Sequence, residues 1–118
     1  ILIVDDSPTE VHVMKKALEQ GGFKTAIAGD GSEGVRLAKD LKPDLIFMDI
    51  VMPGMNGYQA TRAITQDPGT RSIPIVMVTS KGLETDRVWG LRQGAVDYMV
   101  KPVTPELLVQ KAQATLAA

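Results

Sequence analysis

Five short apolar segments alternate with five segments of helical periodicity along the chain. The apolar segments predict strands near 1–5, 24–28, 44–49, 73–79 and 96–100. This alternation is typical of α/β folds, in which crossover helices connect the strands of a parallel sheet. Ile73 to Val78 is apolar throughout except for Pro74, which indicates a strand that is buried on both faces. We therefore expect a five-stranded parallel sheet with five helices distributed over both faces.

Capping signals predict where the helices begin and end. Ser7-Pro8-Thr9-Glu10 combines a capping box with an early proline, and Gly21-Gly22 ends the first helix. Asp30, followed by Glu33 three residues later, opens the second helix, which stops before Pro43. The other helices are predicted after 56–57, over 84–93 and from 104 onward.

Apolar residues at helical spacing predict which helix faces pack on the sheet. In the second helix this face carries Val35, Ala38 and Leu41. In the fourth helix Val88 and Leu91 define the inward stripe, and Trp89 falls beside it. An exposed tryptophan at this place would be a candidate anchor for a partner protein.

Size and composition exclude several classes of protein. The 118 residues are most simply one domain over 1–118, which buries roughly two thirds of the surface of its unfolded chain. Thirteen basic against fourteen acidic residues give no overall attraction to nucleic acid or anionic membrane. The absence of cysteine excludes disulfides, thiolate catalysis and sulfur-ligated zinc. No segment has the roughly 20 apolar residues of a membrane span, and we expect a cytoplasmic protein without direct membrane or nucleic-acid contacts.

Charged side chains follow three of the predicted strands. Asp5 and Asp6 come directly after the first strand, Asp49 closes the third, and Lys101 follows the fifth. Ligands of open parallel sheets bind in the crevice at the carboxyl ends of the strands, so these residues can converge. The pattern favours a site for a metal and a phosphate group.

The three aspartates match the ligand preference of Mg²⁺, which takes oxygen ligands, retains several waters and is commonly held by one or two carboxylates with phosphate oxygens. Asp5-Asp6 alone is also explained as a negative charge before a helix N-terminus. The added Asp49 and Lys101 favour the functional interpretation. Lys101 precedes Pro102, which restricts its backbone and suits a fixed counter-charge for a phosphoryl oxygen. Thr79-Ser80 ends the fourth strand and offers hydroxyls to the same crevice.

Together these residues form a recognisable set of motifs. The matching segments are Asp5-Asp6, residues 48–57, Thr79-Ser80, residues 94–98 and Lys101-Pro102. Over essentially its whole length the chain resembles the receiver domain of two-component response regulators, and in particular the single-domain type of chemotaxis and twitching motility. The resemblance implies a flavodoxin-like sheet with strand order 2-1-3-4-5 and a cis bond between Lys101 and Pro102.

The resemblance also implies a function for each motif. Asp49 would accept a phosphoryl group from a histidine kinase or phosphotransfer protein, with slow self-dephosphorylation rather than enzymatic turnover. Mg²⁺ would be held by the carboxylates of Asp5, Asp6 and Asp49 and by the backbone carbonyl of Val51. Lys101 would contact the phosphoryl oxygens. Thr79 and Tyr98 would form the switch, remodelling the surface of the fourth helix, fifth strand and fifth helix for an unidentified protein target. The protein would be a monomer or a phosphorylation-dependent dimer.

Three other interpretations fit parts of the sequence. The segment 29–34 fits the G-x-G-x-x-G pattern of dinucleotide-binding proteins, but a glycine-rich turn between strand and helix explains it as well. An aspartyl phosphatase commonly has a second acid two residues after its nucleophile, where this chain has Val51. A receiver that signals through a fixed interface without phosphate is the third. His12 is the only histidine and is predicted on the solvated side of the first helix.

Overall fold

The computed structural model describes all 118 residues and contains the predicted parallel sheet. The strands are β1 (Leu2–Val4), β2 (Ala26–Ala28), β3 (Ile46–Met48), β4 (Ile75–Thr79) and β5 (Asp97–Val100). Their order in the sheet is β2-β1-β3-β4-β5, and every neighbouring pair is parallel. The predicted fold class and strand order are confirmed.

Four helices connect the strands and a fifth follows β5, in the predicted order. They are α1 (Pro8–Gln20), α2 (Gly31–Leu41), α3 (Gly57–Gln66), α4 (Glu84–Arg92) and α5 (Pro105–Ala117). Asn56 and Gln59 form a full capping box at α3, in which the Gln59 N–H donates to Asn56 Oδ1 at 2.9 Å and the Asn56 N–H donates to Gln59 Oε1 at 3.0 Å. None of the helices combines the length and apolar character that a membrane span requires.

Two hydrophobic clusters lie on opposite faces of the sheet. Leu2 and Val4 point into the cluster beneath α2 and α3, whereas Ile3 between them points into the cluster beneath α1 and α5. This alternation follows from the two-residue period of a strand. β4 is buried along its whole length. The helices therefore cover both faces, and the carboxyl edge of the central strands remains as the place where a crevice can form.

The prediction for the inward stripe of α4 is wrong for Val88, whereas Leu91 packs against the core as expected. Val88 is 39% exposed, and the only fully buried residue of the helix is Gly90. A Cβ at Gly90 would lie 3.1 Å from the Met77 sulfur and 3.3 Å from the Tyr98 ring, so α4 contacts the sheet through this glycine. Val88 is two residues away and therefore on the opposite side of the helix. Leu41, the last residue of α2, is also exposed.

The capping box predicted at α1 is only half formed. Ser7 Oγ accepts the Glu10 N–H at 3.4 Å, as expected for an N-cap. The reciprocal arm is absent because the Ser7 N–H donates to Asp5 Oδ1 at 2.9 Å. The Glu10 carboxylate instead contacts the Lys101 ammonium.

Candidate functional site

The predicted charged residues meet at the carboxyl edge of the sheet. Asp5 follows β1, Asp49 follows β3 and Lys101 follows β5. Asp5 and Asp49 are 3% and 8% exposed, whereas Asp6 is exposed. The backbone places them firmly, because the Asp5 N–H donates to the Ala28 carbonyl and the Asp49 N–H to the Val4 carbonyl. The sheet thus delivers two buried carboxylates and one exposed carboxylate to one crevice.

The Lys101 ammonium joins the acidic side chains of this crevice. It donates to Asp5 Oδ2 at 2.8 Å and to Asp49 Oδ2 at 3.2 Å, and it also donates to Glu10 Oε2. Three carboxylates therefore take up the three protons of one ammonium. The second oxygen of Asp49, Oδ1, accepts the Ile50 N–H at 2.7 Å. This leaves Asp49 with one oxygen fixed by the backbone and the other facing the cation.

Oxygens of Asp5, Asp6 and Asp49 lie within 4.8 Å of one another. Ligands on opposite sides of a Mg²⁺ ion are about 4.2 Å apart, because each Mg–O bond is about 2.1 Å long. Small side-chain movements would therefore let all three carboxylates contact one such ion. The exposure of Asp6 leaves a side open to the water ligands that Mg²⁺ usually keeps. The donor set fits this metal.

Burial and the neighbouring charges both shift the pKa values of Asp49 and Lys101. Burial raises the pKa of the Asp49 carboxyl, Asp5 raises it further, and Lys101 opposes both. Burial alone would lower the pKa of Lys101, but its contacts with Asp5, Glu10 and Asp49 outweigh burial and raise that pKa. Lys101 is consequently a permanent cation, whereas the negative charge on Asp49 is held at a cost in free energy. A divalent cation would relieve that cost.

The peptide bond between Lys101 and Pro102 is cis, as the resemblance implied. Its N–H donates to the Thr79 carbonyl at 2.8 Å, which extends the pairing of β4 with β5 by one bond. The lysine backbone is therefore anchored to the strand that carries Thr79.

The segment after Asp49 turns back sharply into α3. The Gly57 N–H donates to the Ile50 carbonyl at 2.9 Å, which brings the first residue of α3 against the backbone of Asp49. A Cβ at Gly57 would lie 2.0 Å from the Asp49 carbonyl oxygen. Val51 lies within this turn with its side chain 60% exposed, so the side chain takes no part in the crevice. Its backbone carbonyl remains a predicted metal ligand.

Thr79 and Tyr98 are linked through one loop residue. Thr79 is completely buried, and its Oγ1 accepts the Lys81 N–H at 3.4 Å. The Tyr98 hydroxyl donates to the Lys81 carbonyl at 2.5 Å. Burial, with Tyr58 and Asp86 nearby, raises the pKa of Tyr98. A movement of Thr79 would therefore reach Tyr98 through the peptide groups of Lys81.

Trp89 is 49% exposed on α4, which meets the condition for a candidate partner anchor. Its ring packs edge-on against Tyr58 of α3 with a centroid distance of 6.5 Å. The Tyr58 hydroxyl donates to the Asp86 carbonyl in the first turn of α4 at 3.2 Å. The indole thus lies at the contact between α3 and α4. Its role as an anchor for a partner protein stays a prediction.

A comparison with protein-family models identifies the family of the chain. The model of the response regulator receiver domain matches residues 1–113. The chain is a response regulator receiver domain. It therefore belongs to two-component signalling.

The similar proteins include one of about the same length as this chain and one about twice as long. It is 54% identical to protein PilH of Pseudomonas aeruginosa over 99% of this chain and 97% of that protein. It is 42% identical to the DNA-binding response regulator MtrA of Mycolicibacterium smegmatis over 98% of this chain but only 50% of that protein. The receiver thus spans nearly all of the first relative and about half of the second.

Solved structures share the fold closely. The Vibrio cholerae chemotaxis protein CheY4 superposes with a TM-score of 0.91 at 30% identity, over 97% of this chain and 95% of that one. The receiver domain of a sensor histidine kinase from Pseudomonas aeruginosa superposes with a TM-score of 0.92 at 32% identity, over 99% and 96%. That second structure holds a magnesium ion coordinated in its active site cleft.

The glycine-rich segment 29–34 of this receiver has a structural explanation. A Cβ at Gly31 would lie 2.5 Å from the Met55 carbonyl oxygen, and a Cβ at Gly34 would lie 2.9 Å from Val4. The backbone N–H groups of Gly29 and Glu33 donate to the side chains of Glu33 and Asp30, respectively. Carboxylates of the chain itself thus occupy the helix N-terminus at which a dinucleotide phosphate would bind.

Sequence reasoning missed Glu10 as a member of the crevice. It was assigned to the cap of α1, yet its carboxylate contacts Lys101. The signal that could have found it is its place one turn after Asp5-Asp6, on the helix that begins at the crevice. His12, in contrast, is exposed on α1 as predicted.

Proposed function

We propose that this receiver accepts a phosphoryl group on Asp49 from the phosphohistidine of a histidine kinase or phosphotransfer protein in the cytoplasm. The observation that carries the proposal is the environment of the Asp49 carboxylate. It is buried at a strand end, fixed through Oδ1 by the Ile50 N–H, and directed through Oδ2 at Lys101. A carboxylate in this setting has one oriented nucleophilic oxygen beside a permanent cation.

The transfer makes one bond and breaks another. An Asp49 oxygen forms a bond to phosphorus while the bond from phosphorus to the histidine nitrogen breaks, and the imidazole keeps that electron pair. Lys101 stays beside the transferred oxygens and stabilises their negative charge. The residues supply position and electrostatics. A phosphohistidine ring that is protonated on its other nitrogen leaves as neutral imidazole, so no general acid from this chain is needed.

The donor set of the crevice supports a magnesium requirement. The carboxylates of Asp5, Asp6 and Asp49, with the backbone carbonyl of Val51, are the groups that would hold the ion. When bound, Mg²⁺ supplies positive charge that neutralises the carboxylates and the phosphoryl oxygens. The magnesium ion in the cleft of the similar receiver from Pseudomonas aeruginosa supports the same assignment.

The receiver acts as a phosphoryl acceptor rather than as a turnover enzyme. A phosphatase of the aspartyl type needs a second acid near its nucleophile to protonate the leaving group. Here Val51 occupies that place with an exposed apolar side chain. Slow hydrolysis of its own aspartyl phosphate is the expected remaining activity.

The switch follows from the contacts around Lys81. Phosphorylation makes the charge at Asp49 more negative, from −1 to about −2, and adds acceptor oxygens near Thr79. The Thr79 hydroxyl then donates to a phosphoryl oxygen and moves away from the Lys81 N–H. Because Tyr98 is bonded to the carbonyl of Lys81, its ring and the surface formed by α4, β5 and α5 rearrange together. Trp89 and Tyr98 would present this surface to a downstream protein, or to a second copy in a phosphorylation-dependent dimer.

Acetyl phosphate tests the chemistry without a partner protein. We expect the intact mass of the protein to rise by one phosphoryl group when Mg²⁺ is present, and not when EDTA removes the metal. The reason is that the crowded carboxylates repel an anionic donor until a divalent cation compensates them. Equal labelling in EDTA would contradict the magnesium role. No labelling under either condition would favour a phosphorylation-independent interaction module instead.

The single tryptophan provides a readout of the switch. Phosphorylation of the wild-type protein is expected to change Trp89 emission, because α4 moves against Tyr58. Lys101→Ala should still take up some phosphate but show no emission change, since the ammonium that would hold the phosphoryl oxygens within reach of the Thr79 hydroxyl is missing. Lys39→Ala is the matched control and should respond like wild type, because it removes an exposed lysine of α2 that pairs only with Asp67. A full emission change in phosphorylated Lys101→Ala would refute this role of Lys101.

A further inference from the structure

The Glu10 side chain does not form the helix cap that its position indicates, and it contacts Lys101 instead. A glutamate three residues after an N-cap serine ordinarily accepts the backbone N–H of that serine. In this receiver Asp5 Oδ1 takes the Ser7 N–H, at 2.9 Å. Glu10 is thereby released from the cap, and its carboxylate contacts the Lys101 ammonium at the rim of the crevice.

The three partners of Lys101 differ in how free they are to move. The side chains of Asp5 and Asp49 are 2% and 10% exposed, and both lie in the set that fits a metal. The Glu10 side chain is 45% exposed and lies outside that set. Glu10 and Lys101 also border a groove of about 170 Å³ between α1 and the segment after β5. Glu10 is thus the partner that can leave Lys101 by turning toward solvent.

We propose that Glu10 is a positioning residue that holds the Lys101 ammonium in the unphosphorylated crevice and must release it when the phosphoryl group arrives. This inference rests on the proposed phosphoryl transfer to Asp49. An ammonium has three protons, and all three are already directed at carboxylates. The arriving phosphoryl oxygens compete with these carboxylates for Lys101, and Glu10 is the one of the three that lies outside the set fitting a metal.

The competition has a consequence for the rate. Glu10 keeps a negative charge beside the cation that must stabilise the transferring phosphoryl oxygens, and it also repels an anionic donor. Replacing it with glutamine removes the charge but keeps the length of the side chain and the backbone N–H that donates to Ser7 Oγ. Glu10→Gln therefore separates the electrostatic role from the structural one.

The test measures the initial rate of phosphoryl uptake from acetyl phosphate with Mg²⁺, at low and high salt. We expect Glu10→Gln to be faster than wild type by about 2–10-fold at low salt, with a smaller ratio near 1 M salt, where screening acts within about 3 Å. Glu106→Gln is the matched control. It removes an exposed acid from the first turn of α5, next to Gln20 and Gly21 at the far end of α1, and should leave the rate unchanged.

A second readout follows Lys101 in the unphosphorylated protein. The ¹⁵N-labelled ammonium of Lys101 is expected to exchange its protons slowly in wild type and faster in Glu10→Gln, because one of its three acceptors is weakened. If Glu10→Gln matches wild type in both rate and exchange, or in rate alone, the proposal for Glu10 is overturned while the phosphoryl transfer stands. If wild type takes up no phosphate, both proposals fail.

Discussion

Asp49→Asn is expected to abolish Mg²⁺-dependent phosphoryl uptake while the protein stays folded. The amide has no anionic oxygen to attack phosphorus, although it has nearly the same shape and can still accept the Ile50 N–H through its carbonyl oxygen. Uptake is measured by intact mass after incubation with acetyl phosphate. Asp40→Asn is the control, because Asp40 forms only an exposed pair with Arg36 on α2.

The same substitution has a predicted effect on stability. Burial raises the pKa of Asp49, so folding favours its protonated form. The contribution of this group is therefore fully present below the unfolded pKa of about 3.9 and is lost as pH rises through the higher folded value. Asparagine cannot ionise, so Asp49→Asn should be at least as stable as wild type at pH 7 without metal. The difference should shrink toward pH 4. A less stable variant, or one that is still labelled at the wild-type rate, would contradict the assignment.

Gly57→Ala is expected to destabilise the protein by about 2–3 kcal/mol and to slow phosphoryl uptake roughly tenfold or more. The added Cβ would lie 2.0 Å from the Asp49 carbonyl oxygen, 2.8 Å from the Asp49 carbonyl carbon and 2.8 Å from the Ile50 Cα. These are backbone atoms, so the clash is relieved only by moving α3 or the acceptor residue itself. Thermal unfolding and the acetyl phosphate assay measure the two effects.

Gly29→Ala is the matched control for that experiment. A Cβ at Gly29 would meet only the end of the Glu33 side chain at 3.9 Å, so the stability should change by less than about 0.5 kcal/mol. If Gly57→Ala were as stable and as active as Gly29→Ala, the close approach of α3 to the acceptor would not be a constraint on the site.

The sheet could be predicted from sequence because its strands carry strong local signals. Each is a short apolar segment bounded by polar or turn residues, and the ends differ from the observed strands by no more than two residues. The face of α4 could be predicted only in part, because Leu91 packs against the core as expected but Val88 does not. The helix packs through Gly90, which carries no hydrophobic signal, and the apolar side chain of Val88 consequently lies in solvent.

The residues of the site that lie at strand ends could be predicted from the sheet topology. Asp5, Asp49 and Lys101 follow strands of one parallel sheet, so their convergence follows from the fold before any contact is known. Glu10 was not predictable, because its local sequence indicates a helix cap. Its real contact is with a lysine more than ninety residues away and depends on Asp5 having taken the Ser7 N–H first. A competition between two acceptors for one donor is visible only in three dimensions.

Mapping the phosphoryl group within the labelled chain tests the central claim most directly. Borohydride reduces an aspartyl phosphate to homoserine, and the converted residue can be located by peptide mass spectrometry. The account predicts homoserine at position 49, formed after incubation with acetyl phosphate and Mg²⁺ and absent when EDTA replaces the metal. Conversion at position 5 or 6, or a phosphoryl group on any side chain other than Asp49, would contradict it.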